Sequence, residues 1–322
     1  MMQRPRRNRA TSAIRDMVRE TQVSLSHLIY PMFVYEGAGA PIAIPSMPGI
    51  FRWSQSDIAQ EVASCVELGI LNFVIFPAFP EEKKDATASL SYHSDNFYLH
   101  VISDLKRRFP HITLMSDVAM DPYSSDGHDG WVQNGEILND ETLEILGKMA
   151  VAQAQAGIDI VGPSDMMDGR VGFIRNAMDE AGYQRVSIMS YTAKYASAFY
   201  GPFRDALESA PKLGDKKTYQ MDPANKREAL RELYLDLDEG ADMVMVKPAL
   251  CYLDVIQSLK EQSTVPVAAY NVSGEYAMIK AAAQNGWLDE ERCMMEMLTS
   301  IRRAGADIIL TYFAKDFAMA IR

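Results

Sequence analysis

Two lysines offer the most legible chemistry in this sequence. Lys247 follows the apolar run Met243-Val244-Met245-Val246, so its amine emerges from an apolar wall, and Lys194 ends the stretch Tyr191-Thr192-Ala193. Taking a lysine out of water disfavours its ammonium form, and a second cation nearby does the same. The neutral amine that results attacks ketones and forms a Schiff base. A lysine at the end of a strand can also carry its charge out to solvent along an apolar stem. Either residue alone therefore decides little. Two at equivalent positions on neighbouring strands point further.

That equivalence depends on the elements that carry them. A helix-like stretch ending in glycine runs at once into an apolar strand at Leu68-Gly69-Ile70, Ala156-Gly157-Ile158, Glu239-Gly240-Ala241 and Ala304-Gly305-Ala306. Glycine suits the left-handed turn that closes a helix. The preceding stretches show helical spacing, as in Ile58, Val62 and Val66. Four further apolar runs lie between these units, at residues 29–34, 112–117, 186–191 and 265–270. Eight such runs, mostly continuous and rich in β-branched residues, are expected of parallel strands buried on both faces. Eight strands alternating with helices predict a (β/α)8 TIM barrel. Residues 26–322 then form a single catalytic domain, and residues 1–25 an extended N-terminal arm. Residues 118–139 and 192–225 are long connections after strands three and five, of the kind that serve as lids.

In such a barrel the working groups sit at the C-terminal strand ends. In order, these ends read Asp117, Ser164-Asp165, Lys194, Lys247-Pro248, Asn271-Val272-Ser273 and Thr311-Tyr312. The two lysines thus share one mouth.

Composition narrows the partners. The chain has 322 residues, 48% of them hydrophobic, and a formal charge of -11. A sizeable core is affordable, and neither nucleic acid nor an anionic membrane suits so acidic a chain. An anionic substrate must be met by a few local cations. Cys65, Cys251 and Cys293 form no CxxC pair, which fits a reducing cytoplasm. No apolar run approaches the ~18 residues of a membrane span. The basic N-terminus does not read as a signal peptide, because Arg15, Asp16, Arg19 and Glu20 stand where an apolar region belongs.

Longer motifs surround the lysines. Ser190-Tyr191-Thr192-Ala193-Lys194-Tyr195-Ala196-Ser197, followed by Phe199-Tyr200-Gly201-Pro202-Phe203-Arg204-Asp205, closely resembles the signature of the porphobilinogen synthase (5-aminolevulinate dehydratase) family. So do Val161-Gly162-Pro163-Ser164-Asp165-Met166-Met167-Asp168-Gly169-Arg170, Met245-Val246-Lys247-Pro248 and Val272-Ser273-Gly274-Glu275-Tyr276. The resemblance runs nearly end to end.

The resemblance implies condensation of two 5-aminolevulinate molecules to porphobilinogen with loss of two waters, through Schiff bases. It matches Lys247 to the lysine of the P site, whose substrate supplies the propionate side, and Lys194 to that of the A site. Arg204 and Lys216 would bind the A-site carboxylate with Gln220 nearby, and Ser273 and Tyr312 that of the P site. Where zinc-dependent relatives carry three cysteines, this chain has Ala119, Asp121 and Asp129. No zinc is expected there, and hard oxygen ligands favour Mg²⁺. The Asp/Gly-rich loop, with Asp126 and His128, reads first as a solvated, mobile lid. Glu232, on a helix expected over residues 227–238, matches a glutamate that binds an activating, allosteric Mg²⁺ in relatives. The resemblance also implies a homo-octamer whose arms wrap neighbouring subunits.

The chain departs from the family at Ala249-Leu250-Cys251, where Gly-Met-Pro is common, at Asn271, where His or Gln is usual, and at Lys216, an arginine in many members. Two other readings remain. A class I aldolase-type barrel needs only one Schiff-base lysine, and a ligand-binding barrel needs none.

Overall fold

The computed structural model describes residues 2–207 and 211–322. Eight strands close into an all-parallel barrel: β1 (Leu28–Tyr35), β2 (Asn72–Ala78), β3 (Thr113–Val118), β4 (Ile160–Pro163), β5 (Ser187–Lys194), β6 (Met243–Lys247), β7 (Val267–Asn271) and β8 (Ile308–Thr311). Each pairs with the next, and β8 returns to β1 through Leu28↔Ile309 and Ile29↔Leu310. The strands are buried almost throughout, as a sheet covered by helices requires. The (β/α)8 expectation holds.

The glycine signal has its expected cause. Gly69, Gly157, Gly240 and Gly305 lie at φ +92°, +100°, +97° and +120°, each turning a helix end into a strand. Just beyond three of them an aspartate staples the bottom of the barrel. Oδ2 of Asp159, Asp242 and Asp307 accepts the N–H of Leu114, Ile188 and Val267, at 2.8, 2.8 and 3.0 Å. Each therefore ties the start of an even-numbered strand to the odd-numbered strand before it.

The helices follow the same local logic. Glu290–Arg303 begins with Asp289 accepting Arg292 N–H at 2.9 Å, carries Glu290 and Glu291 in its first turn, and ends on Arg302 and Arg303. Its charges thus oppose the helix dipole at both ends. Met294, Met297, Leu298 and Ile301 form the buried stripe, and truncating Leu298 to alanine would cost about 2–5 kcal/mol.

Several boundaries differ from the sequence reading. Strand β5 runs on through Lys194, three residues past the apolar run, because Tyr191 to Lys194 are themselves buried. The helix expected over 227–238 begins at Glu228. The connection after β3 folds a small hairpin, Trp131–Gln133 with Glu136–Leu138. That after β5 carries the helix Gly201–Leu207 and returns through a bridge between Tyr195 and Met221. A short strand, Phe51–Ser54, extends the sheet beside the C-terminal half of β1. It was not foreseen. Ahead of β1, Pro5–Arg9 and Ser12–Met17 form short helices that bury no residue.

Candidate active site

Lys194 and Lys247 end adjacent strands and lie opposite each other in the pairing register of β5 and β6. Each is only 6% exposed. Their surroundings are opposite in kind.

The Lys247 amine sits among rings. The centroids of Tyr270, Tyr191, Phe203 and Tyr200 lie 4.6, 5.0, 5.0 and 5.3 Å from Nζ. Among the described residues it makes no hydrogen bond or ion pair. Burial, and then the charge of Lys194, lower its pKa to about 7, against the pull of Asp117, Asp129 and Asp121. The free amine is therefore accessible near neutral pH.

Lys194 is held by ions and dipoles. Its Nζ donates to the Ser164 carbonyl and to Asp129 Oδ2 at 3.1 Å. Asp129 also takes Lys216 Nζ at 2.6 Å, and Asp121 accepts from the same ammonium at 3.3 Å. Burial by itself would raise the Asp129 pKa, but the two lysines hold it well below the usual carboxylate range. The same two aspartates keep Lys216 charged against burial.

Asp117, between the two environments, is a third titrating group. Its Oδ1 is buried without a hydrogen-bond partner. Burial and the neighbouring Asp121 push its pKa up to about 7, opposed by Ser164 and both lysines.

The expected substrate contacts divide between these environments. Tyr312 Oη lies 3.0 Å from Tyr270 Oη, and the Tyr312 ring stacks on Phe33. Ser273 Oγ accepts the Phe203 N–H at 3.0 Å and donates to the Phe199 carbonyl at 3.4 Å. Both therefore belong to the Lys247 side, with Ser273 holding down the loop that carries Phe203. That loop lies so close that a Cβ on Gly274 would fall 2.5 Å from the Phe199 carbonyl oxygen, which requires glycine there. Lys216 belongs to the Lys194 side. Gln220 is buried with its Oε1 unpartnered. Arg204, on Gly201–Leu207, lines a 410 Å³ cavity with Glu81, Lys84, Ser124, Asp205 and Lys212, and makes no ion pair among the described residues.

The loop after β3 does not present Asp121 and Asp129 to solvent as a lid would, although Asp126 is partly exposed. Asp121 and Asp129 are buried on lysines, and His128 is tied to Tyr219 Oη at 3.0 Å and the Leu213 carbonyl at 2.9 Å. Among the described residues no group of three or more histidines, cysteines, aspartates and glutamates is placed to hold a metal ion.

Glu232 lies elsewhere, in a 710 Å³ cavity that Asp168, Arg170, Glu228, Arg231 and Asp236 also line. Its pKa is raised to about 7, first by burial and then by Asp236, Asp168 and Glu228, with Arg170 opposing. No cluster of three carboxylates is placed for a metal here either, among the described residues, but a single carboxylate completed by waters is a common way of holding Mg²⁺, and Glu232 fits that role.

The ring cage of Lys247 and the Asp129 bridge escaped the sequence reading. Both join residues far apart in the chain. The one available signal was the excess of Tyr and Phe in the residues just after Lys194.

Fold and site together define a class: a parallel (β/α)8 barrel whose mouth holds two buried lysines on adjacent strands. Within that class the chain belongs to the delta-aminolevulinic acid dehydratase family, whose model matches residues 2–320. It is 54% identical over 321 residues to the chloroplastic delta-aminolevulinic acid dehydratase of Glycine max, covering 99% of this chain and 77% of that one. It is 52% identical over 314 residues to the enzyme of Chlamydia pneumoniae, covering 98% and 95%. Among solved structures, the Toxoplasma gondii delta-aminolevulinic acid dehydratase in complex with the reaction product porphobilinogen superposes with a TM-score of 0.97 at 51% identity, over 99% of this chain and 92% of that one.

Proposed function

We propose that this chain condenses two molecules of 5-aminolevulinate to porphobilinogen, as a lyase with Lys247 and Lys194 as its Schiff-base amines. The observation that carries this reading is the register pairing of two buried lysines in opposite environments. Lys247, whose free amine is favoured by burial, attacks the ketone of the first substrate, and the ketone oxygen leaves as water. Lys194, paired with Asp129, must first give up a proton and then does the same with the second. An iminium draws electrons more strongly than a ketone, which eases proton loss beside it and attack upon it. One carbon–carbon and one carbon–nitrogen bond then join the two molecules, each expelling a lysine, so two waters are lost in all. Asp117, with one oxygen free of hydrogen bonds and both lysines acting on its charge, is placed to exchange protons near neutral pH.

Ser273 and Tyr312 would hold the carboxylate beside Lys247, which requires the Phe199–Phe203 loop to yield the Ser273 hydroxyl. Arg204 and Lys216, with Gln220, would hold the other. Glu232 would hold an activating Mg²⁺ through hard oxygen contacts, stabilising the surrounding charge. The Asp129 and Asp121 carboxylates, already neutralised by lysines, give no thiolate for zinc. Arm residues that bury nothing in the subunit support wrapping of neighbours in a homo-octamer. Free Cys65, Cys251 and Cys293 support residence in a reducing cytoplasm. Among the described residues no helix is long and apolar enough to cross a membrane.

A turnover assay tests the reading. Purified chain should convert 5-aminolevulinate to porphobilinogen, and Lys247→Ala and Lys194→Ala should each abolish conversion without loss of fold by circular dichroism. Turnover surviving in Lys194→Ala would favour the single-lysine chemistry of an aldolase-type barrel. Wild-type chain that binds 5-aminolevulinate without turning it over would favour a binding barrel.

A further inference from the structure

One fully buried carboxyl lies close to the site with no part in the chemistry above. Glu275, in the first turn of the helix Ser273–Gln284, spends both oxygens on the ends of neighbouring strands. Oε1 accepts the N–H of Leu250, three residues past Lys247, at 2.7 Å. Oε2 accepts the side-chain amide of Asn271 at 2.8 Å and the N–H of Val272 at 3.1 Å. Asn271 Oδ1 in turn accepts from the Thr311 hydroxyl at 2.8 Å. The groups so joined adjoin Ser273 and Tyr312 and, at Leu250, lie three residues past Lys247. Those three residues supply the two carboxylate contacts and the amine assigned to one substrate.

We infer that Glu275 is a positioning residue, a clamp that fixes the Lys247 loop against the Ser273 helix start and, through Asn271, against the end of β8. The main chain at Lys247 is held from the other side too, its carbonyl accepting Tyr195 N–H at 2.9 Å and Tyr200 Oη–H at 3.1 Å. Glu275 thus completes a two-sided grip. Ionised, the carboxyl only accepts, and three N–H donors converge on it, opposing the burial that pushes its pKa up to about 7. A glutamine would turn one oxygen into a donor facing donors. The clamp acts through geometry, since the charges that bear most on the Lys247 amine are Lys194, Asp117, Asp129 and Asp121. The inference rests on Lys247 being the Schiff-base amine of that substrate.

The test follows the rate at which each lysine is labelled by levulinate and borohydride in the intact protein, quantified by peptide mass spectrometry. Levulinate has the ketone and carboxylate of the substrate but no amine, so it cannot condense. In Glu275→Gln the rate at Lys247 should fall by roughly tenfold or more, the scale on which misplacement near an ångström acts. Lys194 should label within roughly twofold of wild type, because no contact of Glu275 reaches it. Should that variant fail to fold, Asn271→Ala removes one arm of the clamp and is read in the same way. A folded variant that labels Lys247 at the wild-type rate, or loses both lysines equally, would overturn the clamp. No label on Lys247 in the wild type would overturn the Schiff-base assignment itself, and the clamp with it.

Discussion

At the scale of single residues the site works by contrast. Two lysines of the same strand register differ because one is surrounded by rings and the other by a carboxylate and a carbonyl. Lys247, lowered to about 7 by burial, regains its proton as pH falls below that value. Labelling of Lys247 by substrate and borohydride should therefore lose roughly tenfold per pH unit well below 7 and level off above it. A midpoint near 10, the range of an ordinary lysine, would show that the cage does not control the amine. The two lysines and their apolar approach were legible in the sequence. The rings were not, because Tyr200 and Phe203 come from the connection after β5 and Tyr270 from another strand. Asp129 was read as part of a solvated loop, yet it is buried between two ammonium groups.

At the scale of elements, the glycine-to-strand pattern carried the barrel because one local requirement, a left-handed helix end, recurs in each of those four units. Strand β5 extends past its apolar run because polar residues at the mouth are buried by what they bind, and periodicity does not see that. The aspartates after these glycines were legible only as repeated letters, and their partners lie on other strands. Asp307 takes the Val267 N–H and the Lys260 ammonium at 2.7 Å. Burial would raise its pKa, but those donors and Arg302 hold it below the ordinary 3.8. Its stabilising contribution is therefore complete above that value and is lost as pH falls through the depressed one. Asp307→Ala should lower stability at neutral pH by about 1–3 kcal/mol, seen as a lower urea midpoint at unchanged slope. The difference from wild type should shrink in acid. An equal difference at pH 3 and pH 7 would rule out a charged staple.

At the scale of the whole molecule, the chemistry and the proposed metal lie apart. The lysines occupy the barrel mouth, whereas Glu232 stands on the outer helix Glu228–Asp238. Magnesium should accordingly activate without touching the amines. EDTA should lower turnover and added Mg²⁺ restore it, while a zinc-selective chelator should leave turnover intact. Glu232→Gln should respond little to Mg²⁺ yet still label at both lysines. Stoichiometric zinc in active protein, or full magnesium activation of that variant, would contradict the assignment. The long motifs made the family readable from sequence, whereas the Glu232 metal rests on the resemblance alone, since Glu232 by itself looks like any helix carboxylate. The central claim, that one mouth holds two Schiff-base amines, is tested most directly by trapping. Wild-type protein reduced with borohydride in the presence of 5-aminolevulinate, digested and mapped by mass spectrometry, should carry substrate on both Lys247 and Lys194. Substrate reduced onto neither lysine, while the protein still produces porphobilinogen, would contradict it.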